Sequence, residues 1–133
     1  MAAERILVIE DEAGAREALK SLLDEEGYTV ATAETGLRGL ERLSEFHPDT
    51  VVCDFYLPDI DGLQVLRAAR SLSESGITVI VITAGCGGEE AESILRREAD
   101  FFFQKPLDLR RFRDVLQTSH RNGNGKTREP VAA

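Results

Sequence analysis

Six side chains carry the residue types that phosphoryl chemistry uses: Glu10, Asp11 and Glu12, then Asp54, Thr83 and Lys105. All sit within three residues of the end of a short apolar run: Ile6–Ile9, Thr50–Cys53, Thr78–Ile82 and Phe101–Phe103. Carboxylates gathered from two places repel each other, and a hard divalent cation relieves that repulsion. Mg2+ is typically held by one or two carboxylates, phosphate oxygens and water. An Asp carboxylate can also attack phosphorus and give an aspartyl phosphate. Such a transfer needs mainly positioning and charge neutralisation. The set offers a nucleophile (Asp54), metal ligands (Asp11 helped by Glu10), a cation for phosphate oxygens (Lys105) and a hydroxyl donor (Thr83).

Each residue has a plainer reading. An acidic triplet before a helix can simply complement the helix dipole. Asp54 can be a turn or cap residue, Thr83 a strand-end cap, and Lys105 a solvated surface lysine. The coincidence of four strand ends carrying these groups favours the chemical reading.

The runs that deliver these groups alternate with helical patterns. Ile6–Ile9 reads as a buried parallel strand. Ala15, Ala18, Leu19, Leu22 and Leu23 follow at helical spacing, and Gly27 ends that helix. Thr29–Ala33 is a second strand. Leu37, Leu40 and Leu43, with Phe46, mark a second helix that Pro48 closes. After the Thr50–Asp54 strand, Pro58 and Gly62 break the chain into a loop. Leu63, Val65, Leu66 and Ala69 give a third helix, ended by Gly76. Thr78–Thr83 is the fourth strand, and Gly85-Cys86-Gly87-Gly88 a flexible loop. Ala91, Ile94 and Leu95 stripe a polar fourth helix. Phe101–Phe103 is the fifth strand. The last helix starts at an Asp108 cap and shows Leu109, Phe112, Val115 and Leu116 on one stripe.

Five strand–helix pairs in alternation predict an α/β fold with a parallel sheet and helices on both faces. The flavodoxin-like order 2-1-3-4-5 is the common solution, and it brings Glu10/Asp11, Asp54, Thr83 and Lys105 to one edge. Residues 4–119 are expected to form this domain and 120–133 a disordered tail or linker, since that stretch lacks apolar periodicity.

The net charge of −8 argues against a partner such as the nucleic-acid backbone. No run approaches the length of a membrane span or a signal-peptide core. Cys53 and Cys86 have no metal-site spacing and read as reduced thiols, so a cytoplasmic protein is expected. Cys53 reads as a small buried hydrophobe.

From Arg5 to about Leu116 the chain resembles the receiver domain of two-component response regulators. The resemblance rests on Ile9-Glu10-Asp11-Glu12, Asp54-Phe-Tyr-Leu-Pro58-Asp-Ile-Asp-Gly62, Thr83-Ala84 and Lys105-Pro106. It implies that Asp54 takes a phosphoryl group from a phosphohistidine on a partner histidine kinase or phosphotransfer protein. It implies Mg2+ (or Mn2+) on Asp11, Asp54 and the backbone carbonyl of Tyr56, with Glu10 acting through water. Thr83 and Lys105 would contact the phosphoryl oxygens. Thr83 and Phe102, three positions before the lysine, would be the switch residues; Phe101 and Phe103 read as packing. Such a domain is a signalling module, not an enzyme beyond its own phosphorylation and dephosphorylation. Its output surface is usually helix four, strand five and helix five, acting on an output partner or in a homodimer.

Two positions depart from the family pattern. Tyr56 is bulky, and Gly85 is small where a side chain is usual. Tyr56 is expected to shield the acyl phosphate from water, and Gly85 to leave one side open. Helix five is expected to expose Arg110, Arg111 and Arg113 as a basic face. No output domain follows within these residues, so the chain is either a stand-alone regulator or a piece cut in a linker. A flavin binder fits poorly, because Glu-Asp-Glu after strand one repels phosphate. A haloacid-dehalogenase-type phosphatase would want an Asp where Tyr56 stands. A degenerate receiver is disfavoured, because no phosphorylation residue is missing.

Overall fold

The computed structural model describes residues 4–72, 76–84 and 89–121. Five strands and five helices alternate among them: β1 (Arg5–Ile9), α1 (Ala13–Glu25), β2 (Thr29–Ala33), α2 (Gly36–Phe46), β3 (Thr50–Asp54), α3 (Gly62–Leu72), β4 (Thr78–Thr83), α4 (Glu89–Glu98), β5 (Phe101–Gln104) and α5 (Leu109–Arg121). The strands form one sheet in the order β2-β1-β3-β4-β5, and every pairing is parallel. This is the architecture expected from the alternation.

The central strands are apolar throughout because both faces are covered. Alternate residues feed two separate cores. Leu7, Ile9, Val51 and Val79 pack with Leu43, Val65, Leu95 and Phe102 under α2, α3 and α4. Ile6, Val8, Val52 and Ile80 pack with Leu19, Leu23, Phe103, Phe112 and Leu116 under α1 and α5. The Phe triplet divides accordingly. Phe102 faces one core, while Phe103 faces the other and meets the Phe112 ring edge-on at 5.8 Å.

Several local expectations change. Leu37 is exposed, and α2 buries Gly36, Gly39 and Leu43 instead. A three-residue step falls about 60° short of a full turn, so a 37-40-43 stripe drifts off the face. Leu109, at the first turn of α5, is exposed too, while Phe112 and Leu116 carry the burial. Ala18 also faces solvent. Helix α3 is described as far as Leu72, residues 73–75 lie outside the described residues, and Gly76 has a positive φ of 88°. Arg113 is only partly open, because its guanidinium lies 3.7 Å from Glu26 at the end of α1; Arg110 and Arg111 remain exposed. Asp108 is the expected cap, accepting from the Arg111 N–H at 3.2 Å. Gly85, Cys86 and most of the 120–133 stretch lie outside the described residues.

The edge opposite the strand ends is tied by a polar knot. Asp100 is buried, and its Oδ2 accepts from the Val79 N–H at 2.7 Å and from Arg70 at 3.0 Å. Arg70 also donates to the Ile77 carbonyl at 2.6 Å and the Glu98 carbonyl at 2.9 Å. One guanidinium thus joins α3, the end of α4 and the starts of β4 and β5.

Candidate functional site

Register brings the chemistry-bearing residues to one edge. Ile9 pairs with Cys53, Asp54 with Ile82, and Thr83 with Gln104. Glu10 and Lys105 therefore stand just past the carboxyl ends of β1 and β5, beside Asp54 and Thr83, the last residues of β3 and β4. The Phe55 N–H donates to the Ile82 carbonyl at 2.9 Å, and the Lys105 N–H to the Thr83 carbonyl at 2.8 Å, so the sheet pairing continues into the site. The Lys105–Pro106 peptide is cis.

Lys105 is the hub. Its Nζ lies 2.9 Å from Asp54 Oδ2 and 3.3 Å from Glu10 Oε1. Both carboxylates are buried, whereas Asp11 is exposed and forms the open side of the cluster. Carboxylate oxygens of Glu10, Asp11 and Asp54 lie within 4.8 Å of one another. Three hard oxygen donors at that spacing suit a divalent cation such as Mg2+.

The electrostatics follow from this crowding. Burial pushes the Glu10 carboxyl above its ordinary value, and the charge of Asp54 adds to the rise; the Glu12 N–H and Lys105 pull against it. Burial works to lower the Lys105 ammonium, but its bond to Asp54 and the charges of Asp54 and Glu10 prevail and raise it. Burial also pushes the Cys53 thiol up, with Asp54 and Glu10 contributing. Cys53 is a buried free thiol, which fits a packing role.

The two acidic loops are organised differently. Of the acidic triplet, only Glu12 does the helix-end work: its carboxylate caps α1 by accepting from Gly14 and Ala15 N–H groups at 3.2 and 2.7 Å. Glu10 accepts from the Glu12 N–H at 3.1 Å and keeps its other oxygen for Lys105. Arg16 donates to the Glu10 carbonyl at 2.9 Å and the Asp11 carbonyl at 3.4 Å, fixing the backbone that presents both carboxylates.

After β3, the Tyr56 N–H donates to Asp54 Oδ1 at 3.2 Å. Tyr56 is 47% exposed, and its ring stands edge-on to Phe55 at 4.8 Å. Tyr56 pairs with Asp61 in an isolated bridge, and the Gly62 N–H donates to the Phe55 carbonyl at 2.8 Å. A Cβ at Gly62 would fall 2.8 Å from Phe55 Cα, so α3 can start this close to β3 only with glycine there. Asp61 and Gln64 cap each other's N–H groups at 3.0 and 3.2 Å. That is a capping box, and its four-residue spacing is visible in the sequence.

Phe102 is buried three residues before Lys105, and the Arg96 guanidinium lies 4.7 Å from its ring centroid. Thr83 is fully buried at the end of β4. Sequence reasoning missed Arg16, Asp59 and the Arg70–Asp100 pair. The partners of Asp59 and Asp100 lie more than twenty residues away, and no local pattern announces them.

Comparison with known proteins agrees with this geometry. Residues 6–117 match the family model of the response regulator receiver domain. The chain belongs to that family. It is 37% identical over 105 residues to the response regulator MprA of Mycobacterium ulcerans, a match that covers 79% of this chain and 45% of that protein. The chain thus spans about half the length of the curated relatives it matches. Among solved structures it resembles a CheY-like receiver domain protein from Methanospirillum hungatei, at 25% identity and a TM-score of 0.79 over 92% of this chain and all of that one. It also resembles the response regulator TrrA of Thermotoga maritima, solved in complex with Mg2+–BeF, at 30% identity and a TM-score of 0.76 over 86% and 97% of the two chains. The acidic cluster is consistent with the divalent metal site of such domains. Among the described residues, no helix is long and apolar enough to cross a membrane.

Proposed function

We propose that this receiver domain accepts a phosphoryl group on Asp54 from a phosphohistidine of a partner histidine kinase or phosphotransfer protein. The observation that carries the reading is the convergence of Lys105 on Asp54 and Glu10, with Asp11 on the open side. An Asp54 carboxylate oxygen attacks phosphorus, the P–N bond breaks as the P–O bond forms, and the imidazole leaves with the electron pair. Mg2+ (or Mn2+), when bound, supplies charge neutralisation for the phosphoryl oxygens. Asp11, Asp54 and the Tyr56 carbonyl would hold it, with Glu10 acting through water. Lys105 and Thr83 orient the phosphoryl oxygens. The Tyr56 N–H keeps Asp54 Oδ1 directed.

Phosphorylation is transmitted, in this reading, through Thr83 and Phe102 to the surface of α4, β5 and α5. That surface meets an output partner or a second copy. Helix α5 runs to Arg121, two residues past the expected boundary at 119, so residues 4–121 are taken as the module and the rest as a tail or linker. The chain is a signalling domain that catalyses only its own phosphorylation and dephosphorylation. Its donor, a kinase fed by ATP, belongs to the cytoplasm, and we take the chain to work there.

The test is an NMR titration with Mg2+ and beryllofluoride, a phosphoryl mimic. Saturable shifts are expected at Asp54, Thr83 and Lys105, spreading to Phe102. Asp54→Asn should abolish them. Shifts that persist in Asp54→Asn would refute the assignment.

A further inference from the structure

The phosphoryl chemistry leaves Asp59 unused, yet its carboxylate has an unusual set of partners. It reaches 23 residues back in sequence to the start of α2. Oδ1 accepts from the Gly36 N–H at 2.9 Å, and Oδ2 accepts from the Leu37 N–H at 2.8 Å. Oδ1 also accepts from the Ile60 N–H at 2.9 Å, which folds the loop onto the same carboxylate. Thr35 caps the next amide, that of Arg38, at 3.0 Å. Two of the first N–H groups of α2 are therefore satisfied by a loop from another part of the chain. Such bonds to an ionised acceptor are about twice as strong as neutral ones, and the helix dipole favours the charge.

An apolar contact lies beside this clamp. A Cβ on Gly36 would overlap the Ile60 side chain, so glycine there lets Ile60 close onto α2. The loop after β3 is thus held at two levels. Its base is closed by the Tyr56–Asp61 bridge and the Gly62–Phe55 bond. Its tip is clamped to α2 by Asp59 and seated by Ile60. Tyr56, whose carbonyl the proposed reading assigns to the metal, belongs to that base and stands three residues before the clamped Asp59.

We propose that Asp59 is a positioning residue for the metal site: by clamping the loop tip to α2, it holds the Tyr56 carbonyl facing Asp11 and Asp54. The inference rests on the proposed reading of the Tyr56 carbonyl as a ligand. A ligand loop that is already ordered has little backbone freedom left to lose when the ion arrives. Groups that orient metal ligands affect affinity strongly although they never touch the ion. By linkage, an ion that favours the clamped loop also protects the start of α2.

The test uses the full 133-residue chain in wild-type, Asp59→Ala and Asp59→Asn forms, titrated with Mg2+ alone after removal of divalent ions. Calorimetry reads affinity, and amide exchange reads Gly36 and Leu37. Asp59→Ala is expected to weaken Mg2+ by about tenfold. Asp59→Asn, which keeps one acceptor oxygen, is expected to recover part of the loss. Mg2+ should slow exchange at Gly36 and Leu37 in the wild type and not in Asp59→Ala. If Asp59→Ala is folded, exchanges faster at those amides and binds Mg2+ as the wild type does, Asp59 is a helix cap only and the inference fails. If the wild type itself shows no saturable Mg2+ binding, the metal reading fails and the inference falls with it.

Discussion

Lys105 and Asp54 stand 51 residues apart in sequence and meet at 2.9 Å, with Glu10 on the other side of the same ammonium at 3.3 Å. One cation balances two buried carboxylates, and the exposed Asp11 makes a third acidic group beside them. The cluster is short of positive charge, and an incoming cation relieves it.

Removing the ammonium should therefore destabilise the fold. Lys105→Met is expected to cost about 3 kcal/mol, the low end for breaking a buried pair, because Lys105 itself is partly exposed. The loss should shrink when Mg2+ is added, since the same carboxylates, no longer balanced by an ammonium, bind the ion more tightly in the folded variant than in the wild type. Urea unfolding with and without Mg2+ checks this. An unchanged midpoint in metal-free buffer would contradict it.

Glu10 should make stability depend on pH. Its folded value is raised, by burial first, above the ordinary 4.5. A raised folded value means that the folded state binds the proton more tightly than the unfolded chain. That contribution is complete below about 4.5 and is lost as pH rises through the higher folded value. Glu10→Gln does not titrate and escapes the loss. In metal-free buffer its melting temperature is expected to gain on the wild type as pH is raised from acid toward neutral. Thermal melts across that range would show parallel curves if the account were wrong.

On the proposed reading, Tyr56 shields an acyl phosphate on Asp54 from water. The residue is exposed two positions after Asp54, and its ring is supported edge-on by Phe55. Tyr56→Ala is expected to speed dephosphorylation a few-fold, less than the tenfold that about 1.4 kcal/mol of barrier represents. Decay of the phosphorylated form, followed by intact mass, is the readout. An equal rate would remove the shielding idea.

Asp100 should matter for stability and not for phosphoryl chemistry. Asp100→Ala strips an acceptor from the Val79 N–H and the anion from Arg70. A loss of about 3 kcal/mol is expected, the low end for breaking a buried pair, because Arg70 is itself partly exposed. Denaturant unfolding measures it, and Mg2+ affinity of the folded variant should be unchanged.

The fold was legible because each strand is a short apolar run and each helix a periodic one. The site was legible because its residues stand next to those runs, so naming the strand ends named the site. What stayed hidden involves partners distant in sequence. Asp59 reads as an ordinary loop carboxylate until α2 lies beside it, and Asp100 as a surface acid until Arg70 covers it. On α2 only Leu37 was misplaced: Leu40, Leu43 and Phe46 do meet the core, while Gly36 and Gly39, which leave no apolar signal, supply the rest of the buried side. The Asp61–Gln64 capping box was within reach of local spacing and went unread.

The central claim is that Asp54 is a phosphoacceptor. Intact mass after incubation with Mg2+ and acetyl phosphate tests it most directly, with Asp54→Asn alongside. The account predicts one added phosphoryl group on the wild type and none on Asp54→Asn or in the presence of a chelator. A phosphoryl group on Asp54→Asn, or none on a wild type that also fails to bind beryllofluoride, would contradict it.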